Sequence, residues 1–268
     1  MPAFKMIIIG GMGVDELPYR ERWLLREHAG ETQSWIGPWL ERYVRYWSVM
    51  PPASMVPDLV RLGSYTTGVT MHVYSDYPPT PDKQFGMVGM IPARGQKEIR
   101  TPGQSYAGFG TAGGKEPRVE TTSCYTPFAP TQDFLGSTLD PWSTTILRWF
   151  TCFRYPEGVS REEGDDWYLN IHAKEVMKQD GLIRFFSYRT MDWPGPAKWH
   201  RVTEQWYPDY AAWHRAVIEK PPQYTQPSWA KYDQYPFLEP HKDFLGSFIL
   251  ERPTHDLLRD NLIYIIGP

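Results

Sequence analysis

The chain has 268 residues, which at about 150 residues per domain corresponds to two structural units or one large one. Its 28 basic and 31 acidic residues leave a net charge of −3, which argues against a nucleic-acid-binding protein, because such proteins carry a basic excess or stripe. Two cysteines exclude a disulfide framework and a thiolate zinc site, so we expect a reducing, cytoplasmic location.

The apolar run at residues 6–9 is far shorter than a signal segment or a membrane span, so no membrane partner is expected. Aromatic residues are abundant: 12 Trp, 17 Tyr and 12 Phe make up 15% of the chain. This density indicates either a bulky core or an aromatic-lined pocket, and composition alone does not distinguish them.

Three segments of the chain occur twice in the same order. Residues 23–31 match 167–175 at an offset of 144, residues 69–76 match 202–209 at 133, and residues 133–137 recur as 243–247 at 110. Because the three matches follow the same order in both parts of the chain, they indicate a tandem duplication, with halves at about 1–140 and 141–268.

The first half begins with a strand at 5–9, followed by a helix with Asp15 as N-cap and Pro18 in its first turn. Strands at 42–48 and from Val69 come next. Residues 77–132 are rich in Pro, Gly and Thr and show no periodicity. We interpret them as an insertion that is either a lid or binding arm, or poorly ordered.

The second half has the same order of predicted elements. A strand at 146–154 precedes a helix, and Ser160 and Glu163 at its start have the spacing of a capping box. Strands at 183–189 and from Val202, a short helix at 210–219 and a fourth strand after 243 complete the unit. The order strand, helix, strand, strand, helix, strand is the ferredoxin-like unit, so we predict an α+β fold containing it twice.

Motifs for cofactors and metals are weak or missing. The glycines at 10–13 follow a strand, but Glu16 stands where a dinucleotide site needs its third glycine, and no acidic residue closes the second strand. The glycines at 108–113 lack a flanking strand and helix, and no metal-ligand or nucleophile-elbow spacing occurs. We therefore expect no cofactor and no metal. Cys124 and Cys152 lack an activating pattern and are interpreted as inert thiols.

One histidine occurs in both repeats. Tyr168 and His172 are four residues apart and share a helical face, while Leu24 and His28 take the same positions in the first half. A histidine on an apolar face is either a packed, hydrogen-bonded residue or a catalytic one, and recurrence is compatible with both.

The duplicated unit and the residues at 163–173, which contain Trp-Tyr-Leu-x-x-His-Ala, resemble the EthD family of the dimeric α+β barrel superfamily. Residues 204–213 look like that family's third strand running into its second helix. The resemblance implies that two ferredoxin-like repeats of one chain pack as a fused dimeric α+β barrel, and a homodimer of this chain is possible.

The resemblance also implies a pocket between a sheet and its helices, with histidine and tyrosine as acid/base groups. Carried over by position, the catalytic candidates are His172, Tyr168 and His28. The substrate-binding candidates are Tyr46, His72, Tyr188, Glu204, Trp206, Arg45 and Arg189.

The leading functional hypothesis is a cofactor-independent lyase that binds a small phenolic molecule and decarboxylates it or eliminates a group by acid/base catalysis. Two alternatives stay open. One is a cofactor-free monooxygenase or haem-dependent oxidative enzyme of the same superfamily, and the other is a non-catalytic small-molecule binding protein.

Overall fold

The computed structural model of the chain describes residues 3–10, 25, 29–49, 51–64, 68–76, 122–136, 146–193 and 196–259. None of the helices in these ranges has the length and apolar character that a membrane span requires. The predicted helix start at Asp15 and Pro18 lies outside the described residues.

The first sheet contains five antiparallel strands. Four come from the first half of the chain: β1 (Phe4–Gly10), β2 (Leu40–Trp47), β3 (Gly68–Tyr74) and β4 (Thr122–Pro127). Helices α1 (Ala29–Ile36) and α2 (Val56–Arg61) belong to this half.

The second sheet is built mainly from the second half. Its strands are β5 (Gln132–Leu135), β6 (Leu147–Phe153), β7 (Arg184–Arg189), β8 (Arg201–Tyr207) and β9 (Phe244–Leu250). Helix α3 (Arg161–Trp167) continues through a π-helical turn (Tyr168–His172) into α4 (Ala173–Val176), and α5 (Tyr210–His214) continues into a second π-helical turn (Arg215–Glu219). A short strand, β10 (His255–Asp256), follows.

The helices of the second repeat begin where the sequence predicts. The hydroxyl of Ser160 accepts a hydrogen bond from the Glu163 N–H at 3.1 Å, which satisfies one of the free donors of the first turn of α3. Asp209 does the same for Ala212 at the start of α5, at 2.8 Å.

Strand register confirms the duplication. Phe4 lies opposite Tyr74 in the first sheet, and Leu147 lies opposite Tyr207 in the second. The strand order is β10-β2-β3-β1-β4 in one sheet and β5-β7-β8-β6-β9 in the other, so the five strands of each sheet correspond one to one. The fold is α+β, with two ferredoxin-like repeats.

One of the three repeat matches is wrong as a structural equivalence. Residues 133–135 form β5 at the edge of the second sheet beside β7, whereas 244–250 form β9 beside β6. The counterpart of β9 is β4, and the counterpart of β5 is β10. The physical reason is an exchange of edge strands: β5 of the first half joins the second sheet, and β10 of the second half joins the first.

The insertion predicted at 77–132 is too long at its C-terminal end. Residues 122–127 are β4, which pairs with β1 along its length, and the second edge strand starts at Gln132. The local sequence could not show that residues 122–127 pair with β1, because β1 lies more than 110 residues upstream. Residues 77–121 lie outside the described part of the chain.

Strand alternation gives each sheet two faces with different partners. One face of the second sheet packs under α3, α4 and α5 around Trp149 and Trp213, and the other faces the first sheet. The inter-sheet core contains aliphatic side chains from both repeats together with Cys124 and Cys152, both free and buried. These two faces separate the predicted site residues.

Candidate functional site

His172 lies on the helix face of the second sheet, enclosed by aromatic rings. Its imidazole stacks on Trp167, with centroids 4.6 Å apart and planes at 26°, and on Tyr235 at 5.6 Å and 25°. Tyr224 and Tyr168 complete the enclosure at 5.7 and 5.8 Å. We call these four rings the aromatic cage. The 5.8 Å separation confirms that Tyr168 and His172 share one helical face.

The imidazole of His172 is buried and neutral. It is 6% exposed, and its Nδ1 has no hydrogen-bond partner among the described residues. Burial lowers the pKa of His172 to about 3, because a charged imidazolium would lose its hydration among apolar rings. An unpaired buried nitrogen costs about 1–3 kcal/mol, so its retention here calls for an explanation.

A network of charged and polar groups lies beside the cage. Asp165 accepts hydrogen bonds from Arg201 at 2.6 Å and from the Tyr155 hydroxyl at 2.7 Å. Burial opposes ionisation of this carboxyl, but the bonds from Arg201 and Tyr155 outweigh it and lower the pKa of Asp165. The Arg201 guanidinium lies 5.0 Å from the centroid of the Tyr168 ring, so the fixed ion pair holds one wall of the cage.

Residues 220–242, which we call the strap, cover the site from outside. They form neither helix nor strand, yet they supply Tyr224 and Tyr235, whose rings stack at 4.3 Å. Thr225 anchors the strap: its N–H and hydroxyl donate to the Glu175 carboxylate at 2.9 and 2.6 Å, and its carbonyl accepts from Trp167 at 3.1 Å.

A cleft of about 460 Å³ opens next to the strap. Its lining includes Tyr155 and Phe237, which also reach the layer around Trp167: Trp229 lies 5.9 Å from Tyr155 and 5.3 Å from Trp167, and Phe237 lies 6.3 Å from Trp167. The cleft therefore ends one layer of aromatic rings away from the cage.

Four predicted substrate-binding residues lie between the two sheets, whereas His172 lies on the helix side of the second sheet. Tyr46, Tyr188, Glu204 and Trp206 belong to the space between the sheets. Successive side chains of a strand point to opposite faces of the sheet. In β2, β7 and β8 the neighbouring positions face the helices, so these four side chains face the other way. The expectation that these four residues line one pocket with His172 is therefore wrong.

The remaining candidates are scattered. His72 and Arg45 face the helix side of the first sheet, where His72 Nδ1 lies 3.1 Å from the Tyr74 hydroxyl and Arg45 donates to Thr70 at 2.8 Å. Arg189 is half exposed and pairs with Glu162 at 3.2 Å and Asp165 at 3.7 Å. His28 lies outside the described residues.

Several residues around His172 were missed by sequence reasoning. Asp165 and Arg201 are 36 positions apart, so no local spacing connects them. The composition of the strap is the signal that could have found it: residues 220–240 are rich in proline, as residues 77–132 are, and they also contain tyrosine and tryptophan.

The described residues contain no cluster of three or more His, Cys, Asp or Glu that could hold a metal ion. The superfamily that the sequence resembles includes haem enzymes, and a buried histidine such as His172 is a residue type that binds haem iron. The four rings lie 4.6–5.8 Å from the imidazole centroid, so the described side chains at His172 pack against one another and do not line a cleft of haem size.

Comparison with known proteins finds no matching family model and no matching curated protein. Solved structures do match. They include an EthD family protein from Bacillus halodurans C-125, 24% identical over 27% of this chain and 72% of its own, with a TM-score of 0.25. An anthrone oxidase-like protein is 9% identical over 95% and 92% of the two chains, with a TM-score of 0.48.

A chlorite dismutase from Candidatus Nitrospira defluvii is 8% identical over 97% of this chain and 94% of its own, with a TM-score of 0.44. The structural neighbours thus include the family that the sequence resembles. Likenesses with identities and TM-scores this low carry no conclusion about activity.

Proposed function

We propose that the chain is an enzyme that binds a small aromatic molecule at the aromatic cage and transfers a proton through His172. The observation that carries the proposal is the buried Nδ1 of His172, which lies among four aromatic rings without a partner in the described part of the chain. A planar ring that takes the place of Tyr235 would gain its stacking contact with the imidazole, and a ligand hydroxyl in the imidazole plane would supply the partner that Nδ1 lacks.

The chemistry we propose is a lyase step on a phenolic acid, such as decarboxylation. The neutral imidazole accepts the phenolic proton, and the phenolate electrons make the ring carbon that bears the carboxylate basic, so that this carbon takes up a proton from water. The electron pair of the bond to the carboxylate then returns to the ring as carbon dioxide leaves, and the resulting phenolate takes its proton back from the imidazolium. The step is redox-neutral and therefore needs no external oxidant.

The closed cage also sets a requirement for this chemistry. A pKa of about 3 makes His172 a weak base while the strap covers it. Water or a polar substrate that enters when the strap lifts restores solvation and moves the pKa of His172 toward its ordinary value near 6.5. The bonds that must open include those of Thr225 with Glu175 and Trp167, and the one that Gln179 donates to the Tyr224 hydroxyl at 2.7 Å.

The test is turnover of a panel of hydroxybenzoic and hydroxycinnamic acids, followed by absorbance and carbon dioxide release under nitrogen. We expect His172→Ala to lower kcat/KM at least about 100-fold, the usual contribution of a positioned proton-transfer group. His214→Gln is the matched control, because this histidine lies outside the cage, 3.2 Å from the Asp58 carboxylate, and the variant should keep full activity.

Unchanged turnover in His172→Ala would remove His172 from the chemistry. Substrate-dependent oxygen consumption would replace the lyase assignment by an oxidative one, and stoichiometric binding without turnover would indicate a binding protein.

A further inference from the structure

The space between the two sheets contains cations at equivalent positions of both repeats. In the first sheet, Arg42 and Lys5 flank Val73 in one row across three strands. In the second, Arg184 and Arg148 flank Trp206 in the corresponding row. We call Lys5, Arg42, Arg148 and Arg184 the inter-sheet cation cluster.

Each repeat reaches across to a tyrosine of the other. The Lys5 ammonium donates to the Tyr188 hydroxyl at 2.8 Å, and the Arg148 guanidinium lies 5.2 Å from the centroid of the Tyr46 ring. Tyr46 and Tyr188 are equivalent, since they lie opposite Val69 and Val202, which the repeats align. The duplication has therefore placed two copies of one cation–tyrosine contact around a common centre.

The negative charge in this space does not balance the positive charge. Glu204 is bound by Arg148 at 2.7 and 2.8 Å, and Asp133, half exposed, lies 3.6 Å from Arg184. Lys5 and Arg42 have no ion-pair partner within the described ranges, because the position equivalent to Glu204 is Met71 in the first repeat.

The protonation of Lys5 reflects this imbalance. Burial lowers the pKa of Lys5 to about 8; Glu204 works against the shift, while Arg148 and Arg42 add to it. A partly buried ammonium without an ion-pair partner, as at Lys5, is costly, and an added anion would remove the cost. Nε of Arg184 is also buried without a hydrogen-bond partner among the described residues.

Aromatic rings accompany these cations toward solvent. Phe128 is 42% exposed and lies 5.6 Å from the Lys5 ammonium, and the half-buried Trp206 lies 5.1 Å from the Arg184 guanidinium. A ligand with a carboxylate and a flat ring matches both halves of this surface, since guanidinium groups pair with carboxylates and the rings offer stacking area.

We propose that the inter-sheet cation cluster binds a small aromatic carboxylate, with the carboxylate between Lys5, Arg42 and Arg184 and the ring against Trp206 and Phe128. This site is separate from the aromatic cage, which lies on the other face of the second sheet.

The experiment is calorimetric titration of the full chain at pH 7 and low ionic strength with benzoate, its neutral analogue benzamide, and acetate, which lacks the ring. We expect benzoate to bind at least tenfold more tightly than either. Arg42→Gln should weaken benzoate binding at least fivefold, and this exposed position carries little risk of unfolding. Lys198→Gln, which removes an exposed charge outside the cluster, should change it less than twofold.

A second measurement locates the ligand. Saturating benzoate should slow the acetylation of Lys5 by acetic anhydride relative to that of Lys198, as read by peptide mass mapping. Absence of benzoate binding, equal affinity for benzamide or for acetate, or unchanged acetylation of Lys5 would overturn the proposal. Benzoate binding that is lost in His172→Ala but kept in Arg42→Gln would overturn it too, while leaving the proposed function at the cage intact.

Discussion

At the scale of single residues, His172 combines two properties that seldom coexist in a stable core. Its ring is packed as tightly as a phenylalanine would be, yet Nδ1 is buried without a partner among the described residues. A phenylalanine would avoid the unpaired nitrogen at no loss of stacking area. The imidazole therefore costs stability that the proposed proton transfer would explain.

The buried imidazole makes stability depend on pH. In the unfolded chain a histidine takes up a proton near pH 6.5, whereas the folded His172 remains neutral down to about pH 3. The unfolded state thus binds more protons in this window, and stability falls as the pH is lowered. The His172 contribution amounts to about 2 kcal/mol between pH 7 and pH 5.

Urea unfolding at both pH values measures this loss in the parent chain and in His172→Gln. Other histidines titrate in both proteins, so the difference between the two losses isolates His172. An equal loss in parent and variant would show that the imidazole is solvated in the folded state.

At the scale of elements, helix α3 approaches the sheet closely because it has a glycine at the contact. A Cβ on Gly164 would lie 2.2 Å from Cδ2 and 2.3 Å from Cγ of Tyr155. The same tyrosine donates its hydroxyl to Asp165, so the helix, the ion pair with Arg201 and the end of β6 are held as one unit.

Gly164→Ala should therefore destabilise the chain by about 1–3 kcal/mol through overpacking, despite the better helix propensity of alanine. Gly136→Ala is the matched control, because none of the described residues comes within 4 Å of the position that its methyl group would take, and we expect a change near zero. Chemical denaturation at pH 7 compares the two. A neutral Gly164→Ala would mean that Tyr155 moves aside without cost.

At the scale of the whole molecule, the exchange of edge strands binds the two repeats together. β5 pairs with β7 and β10 pairs with β2, so each sheet is completed by the other half of the chain. Between the sheets, side chains of both repeats form a shared apolar core. Separation of the halves would expose this core and two unpaired strand edges.

A protease site introduced between residues 136 and 146 should consequently yield two fragments that stay associated. Size-exclusion chromatography with light scattering under native conditions checks the result, and 6 M guanidinium chloride provides the separated control. Elution of free fragments in native buffer would contradict the shared core. The same measurement on the uncut chain tests the predicted homodimer.

Local chemistry along the chain was enough to predict the repeat and most of its elements. Ser160 and Asp209 cap their helices through contacts three residues away, and short runs of apolar and aromatic residues mark the strands, so no distant contact had to be known. The pairing of Tyr168 with His172 followed from helical spacing alone.

Which face of each strand meets which partner depends on tertiary packing. Alternation shows that Glu204 and Trp206 share a face, but whether helices or the other sheet cover that face depends on how the repeats pack. The same holds for the edge strands: residues 133–137 and 243–247 share five letters, yet hydrogen bonds to distant strands assign them different places. Burial sets the pKa values of His172 and Lys5, and burial is a property of the folded chain alone.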